Sequence, residues 1–179
     1  MRSRIILLFV LSVVERVQTY LTRWKCPCCG GSFTLYPDWA LPHKNYEASF
    51  IFSRCASYVT EDACSYRKGV MDNDDLPIFH EDADVCARLS PSTLWRWVGA
   101  LGNFPETRRR ALHLIKQKSP CSGLFRTLST LRIGSHKYRS DARRQTLERC
   151  LSLLLISQVY GRLFGVSLFP ELATATGFT

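Results

Sequence analysis

The chain has 179 residues, 46% of them hydrophobic and 22% charged. That composition excludes a disordered polymer and allows one full domain, or a small module beside a larger one. The net charge of +9 is uneven: residues 91–179 carry fourteen Lys/Arg against four Asp/Glu, whereas residues 72–90 carry one against six. So basic a C-terminal half points to a polyanionic partner such as nucleic acid, or to a solvated basic surface.

At the start, Arg2 and Arg4 precede the apolar run Ile5–Val14 and imitate a signal peptide. No small-x-small cleavage pattern follows, and about ten apolar residues are too few to span a bilayer. The expectation is a cytoplasmic protein with no membrane partner, in which this run supplies a buried strand or a short helix. Five of the eight cysteines (Cys55, Cys64, Cys86, Cys121 and Cys150) are scattered singly and read as small hydrophobes. Cys26, Cys28 and Cys29 are clustered, and clustered thiols in a reducing compartment bind metal more often than they pair.

"VVERVQTYLTRW", Val13 to Trp24, is rich in β-branched and aromatic residues at a period near two and predicts a strand. Phe33 to Tyr36 predicts a second, with Gly30 and Gly31 in the turn between them. Cys26-Pro-x-Cys29-Gly in that turn has the spacing that brings two thiolates to one zinc ion. A second Cys-x-x-Cys is not found, and His43 is the nearest other candidate. Two alternatives therefore stand: a zinc site with Cys26 and Cys29 as two ligands, or a ribbon turn with reduced thiols. "PDWALPHKNY" follows as an extended connector.

Residues 46 to about 59 carry apolar residues at helical spacing, and Thr60 is placed to cap a second short helix through "EDACSYRKG". The acidic stretch fails as a calcium loop. Counting from Asp72, Pro77 stands where a glycine is needed and Ala83 where a bidentate Glu belongs.

"LSPSTLWRWVGALG" is the strongest local signal. Ser90 is a good N-cap, Pro91 suits the first helical position, and Leu94, Trp97, Val98 and Leu101 share one face. Gly99 and Gly102 mark its end. The opposite face presents Ser92, Thr93, Trp95 and Arg96. With "DADVCAR" as a preceding short helix, the segment near 80–102 is similar to a helix-turn-helix whose second helix enters the major groove, although the usual Gly-Val of the turn is missing.

Pro105–Lys118 predicts a basic amphipathic helix, Leu124–Leu131 a short one, "RIGSHKYRS" a basic loop, and Asp141 to about Phe164 the longest helix, closed by Gly165. No phosphate-binding glycine loop, Ser/His/Asp set or spaced acidic triad stands out, so the reading is a non-enzyme.

"RWKCPCCGGSFTLYPDWALPHKNY", "LPIFHEDADVC", "LSPSTLWRWVGALG" and "LFGVSLFPELATATGF" together resemble an uncharacterised bacterial family of transposase-related proteins. These are similar to the N-terminal zinc-ribbon and helix-turn-helix part of insertion-sequence transposases, without a recognisable catalytic domain. The resemblance covers the chain from about Val14 onward and implies DNA binding, with Cys26 and Cys29 as the ribbon knuckle and Ser92, Thr93, Trp95 and Arg96 on the recognition helix. Members of that family often begin with further residues, sometimes including a cysteine pair, which implies that this chain is truncated.

The fold class expected is α+β: a small β-hairpin, zinc-ribbon-like module over residues 1–45, then a mainly helical domain over 46–179. Arg96 and nearby hydroxyls would contact base edges, while Arg108, Arg109, Arg110, Lys116, Lys137, Arg139, Arg143 and Arg144 would neutralise phosphates. The alternative is a protein-interaction or scaffold protein, or a degenerate mobile-element remnant, whose apolar Leu151–Ile156 segment supports a homo-oligomer.

Overall fold

The computed structural model describes residues 2–10, 13–37, 39–41, 44–62, 64–71 and 90–169. The acidic stretch from Asp72, "DADVCAR", His43, Cys86 and the tail after Phe169 lie outside them. The chain is mixed and mostly helical. Residues 1–51 and 167–169 belong to one compact unit, residues 52–71 and 90–166 to another.

In the first unit, β1 (Arg2–Val10) runs antiparallel to β2 (Val13–Lys25), from Val10 opposite Val13 to Arg2 opposite Leu21. The far end of β2 pairs with β3 (Ser32–Leu35), Thr22 opposite Leu35 and Lys25 opposite Ser32, giving the order β1-β2-β3. The apolar run at the start is thus a strand whose partner is the segment directly after it. Leu21 is buried in this unit, and so are Ala40 and Leu41 of the connector. The connector is tied at both ends of a short loop: Ala40 bridges Glu47, and the Ala48 N–H donates to the Trp39 carbonyl at 2.8 Å.

Helix α1 (Ala48–Thr60) buries Ile51, Cys55, Tyr58 and Val59 along one face. Thr60 is its last residue, and its hydroxyl donates back to the Ala56 carbonyl rather than capping a new helix. The short α2 (Tyr66–Met71) begins later, where the Ser65 hydroxyl accepts from the Lys68 N–H. A serine is the better cap here because it sits one residue before the helix, where its oxygen reaches a free first-turn N–H.

Four helices complete the second unit: α3 (Pro91–Leu101), α4 (Pro105–Lys118), α5 (Gly123–Thr130) and α6 (Asp141–Phe164). Their starts follow from local chemistry. Ser90, Ser122 and Ser140 each accept a first-turn N–H, and Pro91 and Pro105 stand in the first turn where no N–H is missed. The hydrophobic face of α3 is the predicted set Leu94, Trp97, Val98 and Leu101. At 24 residues α6 is about 36 Å long and is the element on which α3, α4 and α5 pack, which is why its middle is apolar on most sides. Leu147, Cys150, Leu153, Leu154 and Ile156 are buried there.

Gly102 has a structural reason beyond ending α3. Its φ is −72°, which any residue adopts, but a Cβ on it would lie 2.6 Å from the Thr146 carbonyl oxygen of α6. The glycine is what lets the two helices approach. Gly99, by contrast, lies inside α3 with open space around it. Among the described residues no helix is long and apolar enough to cross a membrane.

Candidate nucleic-acid interface

A concavity of about 510 Å³ opens in the helical unit. Three separate segments supply its walls. The end of α1 and the start of α2 give Tyr58, Asp62, Cys64 and Tyr66, α3 gives Trp95, and the 136–143 stretch leading into α6 gives His136, Lys137, Tyr138, Arg139 and Arg143. It therefore brings together Trp95, Lys137, Arg139 and Arg143 from the expected DNA contacts.

Along the wall, aromatic rings and a guanidinium lie against one another. The Tyr58 and Tyr66 rings stack with centroids 3.9 Å apart and 19° between planes. The Arg143 guanidinium follows, 5.7 Å from the Tyr66 centroid and 5.3 Å from that of Trp95. One of its Nη groups also donates to the Tyr66 hydroxyl. Each cation–ring contact contributes on the order of 0.5–2 kcal/mol, according to how far it is desolvated. Burial lowers the Arg143 pKa, but a guanidinium starts so high that it stays charged at neutral pH. Burial likewise raises the Tyr58 phenol and keeps it neutral. Tyr58 is 4% exposed and Trp95 53%, so the group runs from the core to the surface.

Lys137 has a structural task. Its Nζ donates to the carbonyls of Tyr58, Glu61 and Cys64, the last at 3.1 Å, and lies 4.9 Å from the Tyr58 ring centroid. These carbonyls stand at and just beyond the C-terminus of α1, where a cation meets both unpaired acceptors and the negative end of the helix dipole. Partial burial pulls its pKa below the ordinary lysine value, with Cys64, Asp62 and Glu61 acting against that shift. His136 fastens the same loop by donating from Nε2 to the Asp62 carbonyl at 2.9 Å. Arg139, two residues on, is exposed and makes no hydrogen bond or ion pair among the described residues.

The remaining expected contacts lie elsewhere. Arg96 is exposed beside Trp95 on α3, Thr93 is half-buried, and the Ser92 hydroxyl is 2.7 Å from that of Ser90 at the helix cap. Arg108 lines a second recess of about 260 Å³ with Arg132 and Arg149, where Glu148 is the single carboxylate. Arg109 is paired with Glu106 within α4, whereas Arg110 and Lys116 are exposed. Arg144 is held by Asp141 at 3.2 Å and approached by Glu148 at 3.8 Å.

Sequence reasoning missed Tyr58, Tyr66, Tyr138 and His136 in the cavity and Arg132 and Arg149 in the recess. "HKYR" interleaves an aromatic with cations, which is a local signal for Tyr138. For Tyr58 and Tyr66 there is none.

In the first unit the turn after β2 is closed by two hydrogen bonds. The Gly30 N–H donates to the Cys26 carbonyl at 2.9 Å, and the Cys26 N–H to that of Gly31 at 2.7 Å. Gly30 has φ +71°, a conformation glycine adopts without cost. Hydrogen bonds from the backbone of Cys29 and then Cys28 lower the Cys26 thiol pKa, which favours the thiolate a metal needs. Cys26 and Cys29 stand three residues apart in this turn, the Cys-x-x-Cys spacing found in zinc sites. Among the described residues no group of three or more His, Cys, Asp or Glu is arranged to hold a metal ion.

No protein-family model, curated protein or solved structure matches the chain.

Proposed function

We propose that this chain is a DNA-binding protein, with its helical unit as the interface and no catalytic role assigned to it. The observation that carries this reading is the joining of Trp95, Arg139 and Arg143 in one concavity, with Tyr58 and Tyr66 behind them. Nucleic acid presents phosphates and flat rings together, and a surface that offers guanidinium groups beside aromatic faces matches both. The arginine recess of Arg108, Arg132 and Arg149 adds a site suited to phosphate alone.

In this proposal α3 is the recognition helix of a helix-turn-helix whose first helix is expected in "DADVCAR". Arg96 is its base-reading cation, and the target is duplex DNA of the kind found at transposon ends. The β2–β3 pair is a hairpin of zinc-ribbon type, with Cys26 and Cys29 as two ligands of a zinc site.

Fluorescence anisotropy with a labelled duplex at several salt concentrations tests the first part. The logarithm of the affinity should fall linearly with that of salt, by about 0.9 for each phosphate neutralised. An affinity that does not change with salt refutes the proposal. Metal analysis of the purified protein tests the second part: near-stoichiometric zinc in the native chain should be lost on Cys26→Ser.

A further inference from the structure

The cavity differs from a duplex-binding surface in being concave and ring-lined. Bases in a duplex cover one another, so a ring face inside a recess meets a base only when that base has left the stack. At about 510 Å³ the recess falls within the roughly 300–1,000 Å³ of sites that enclose one small ligand. Of its rings Trp95 is 53% exposed, and the Arg143 guanidinium lies 5.3 Å from its centroid. Tryptophan against a nucleobase is the stacking platform of proteins that hold single strands. Arg139 lines the same cavity, is exposed and has no partner among the described residues, which leaves its guanidinium available to a phosphate. The rim also carries Asp62, whose carboxylate is 3.9 Å from the His136 imidazole. A carboxylate there would disfavour a second phosphate beside it. Lys137 and His136 tie the loop of one wall to the end of α1 in the ligand-free chain. Little ordering of that wall is therefore left for binding to provide.

We propose that this cavity takes one unpaired nucleotide of a DNA strand, its base stacked on Trp95 and its phosphate beside Arg139. The proposal rests on the DNA-binding reading above and specifies which form of DNA the site selects.

The test uses the full chain and three labelled probes in one buffer: a fully paired duplex, the same duplex with one looped-out nucleotide, and one of its strands alone. Native protein should bind the looped-out duplex and the single strand about tenfold more tightly than the paired duplex. Trp95→Ala should bring that ratio close to one, Trp95→Phe should keep most of it, and Arg139→Ala should weaken the unpaired probes more than the paired one. Thermal melting of each variant confirms that it is folded, as expected for exposed positions. Salt-sensitive binding with equal affinity for all three probes, unmoved by Trp95→Ala, overturns this inference and leaves DNA binding standing. Absence of binding to every probe overturns both.

Discussion

Two recesses in the helical unit hold arginines, and they are built from different materials. The larger sets Arg143 between the rings of Tyr66 and Trp95, with Tyr58 buried behind them. The smaller gathers Arg108, Arg132 and Arg149 around Leu128 and Leu131 without an aromatic ring. In the first, the cation is packed against rings and its charge is partly desolvated. In the second, Arg132 and Arg149 are exposed, and each guanidinium has one neighbouring acceptor, the Leu131 carbonyl at 2.7 Å and the Gln145 Oε1 at 3.5 Å. Basic charge alone does not distinguish these places. What surrounds each cation decides whether it can order a planar ligand or only neutralise an anion.

The contrast is broken most severely from the buried end of the stack. Tyr58→Ala removes a ring that is 4% exposed and should destabilise the helical unit by about 3–5 kcal/mol. Arg132→Ala, in the exposed recess, should stay within about 0.5 kcal/mol of the native protein. Thermal or urea denaturation followed by circular dichroism measures both, and equal losses would mean that the two recesses are not built differently.

Next in size is Lys137→Met. Loss of its bonds to three carbonyls should cost about 1–2 kcal/mol, the lower part of the range for charged hydrogen bonds because the side chain is half-exposed. Once that loss is allowed for at low temperature, DNA affinity should change less than it does in Arg139→Ala. A larger affinity loss in the lysine variant would show that its ammonium leaves the carbonyls to meet phosphate.

Among variants that leave stability alone, Arg139→Ala and Arg132→Ala should each reduce the salt slope of duplex binding by up to about 0.9. Only the former should also change the preference for unpaired DNA. The smallest effect is expected of Arg109→Ala, since Glu106 already neutralises this side chain, strengthening the pair from both sides. Its slope should move by less than that of Arg110→Ala, and the reverse order would show that the Glu106 pair opens on binding.

Much of the helical unit was legible because its signals are local. Ser90 with Pro91 fixes the start of α3, and Pro105 and Asp141 open α4 and α6 where the sequence places them. The 3.6-residue spacing of Leu94, Trp97, Val98 and Leu101 also gave the buried face directly. Thr60 misled because a threonine near a helix end serves as readily inside the last turn as before the next one. The cavity was half legible. Charge and position singled out Trp95, Lys137, Arg139 and Arg143, but Tyr66 meets Arg143 across 77 residues, and no spacing rule reaches that far. The same distance hid the task of Lys137, which looks like any lysine of a basic loop until the carbonyls of α1 are in place. The apolar middle of α6, Leu151–Ile156, implied burial between other helices, and Ser152, Leu153, Leu154 and Ile156 are indeed buried.

The three-carbonyl grip on Lys137 also has a chemical consequence. With its Nζ enclosed by three carbonyls, Lys137 has no open approach for an electrophile until that grip opens, even though burial lowers its pKa. Amine-directed acylating reagents should therefore mark the exposed Lys116 and Lys118 and pass over Lys137 for as long as the helical unit is folded. The site of first labelling at position 137 is a covalent record of the moment at which that loop lets go.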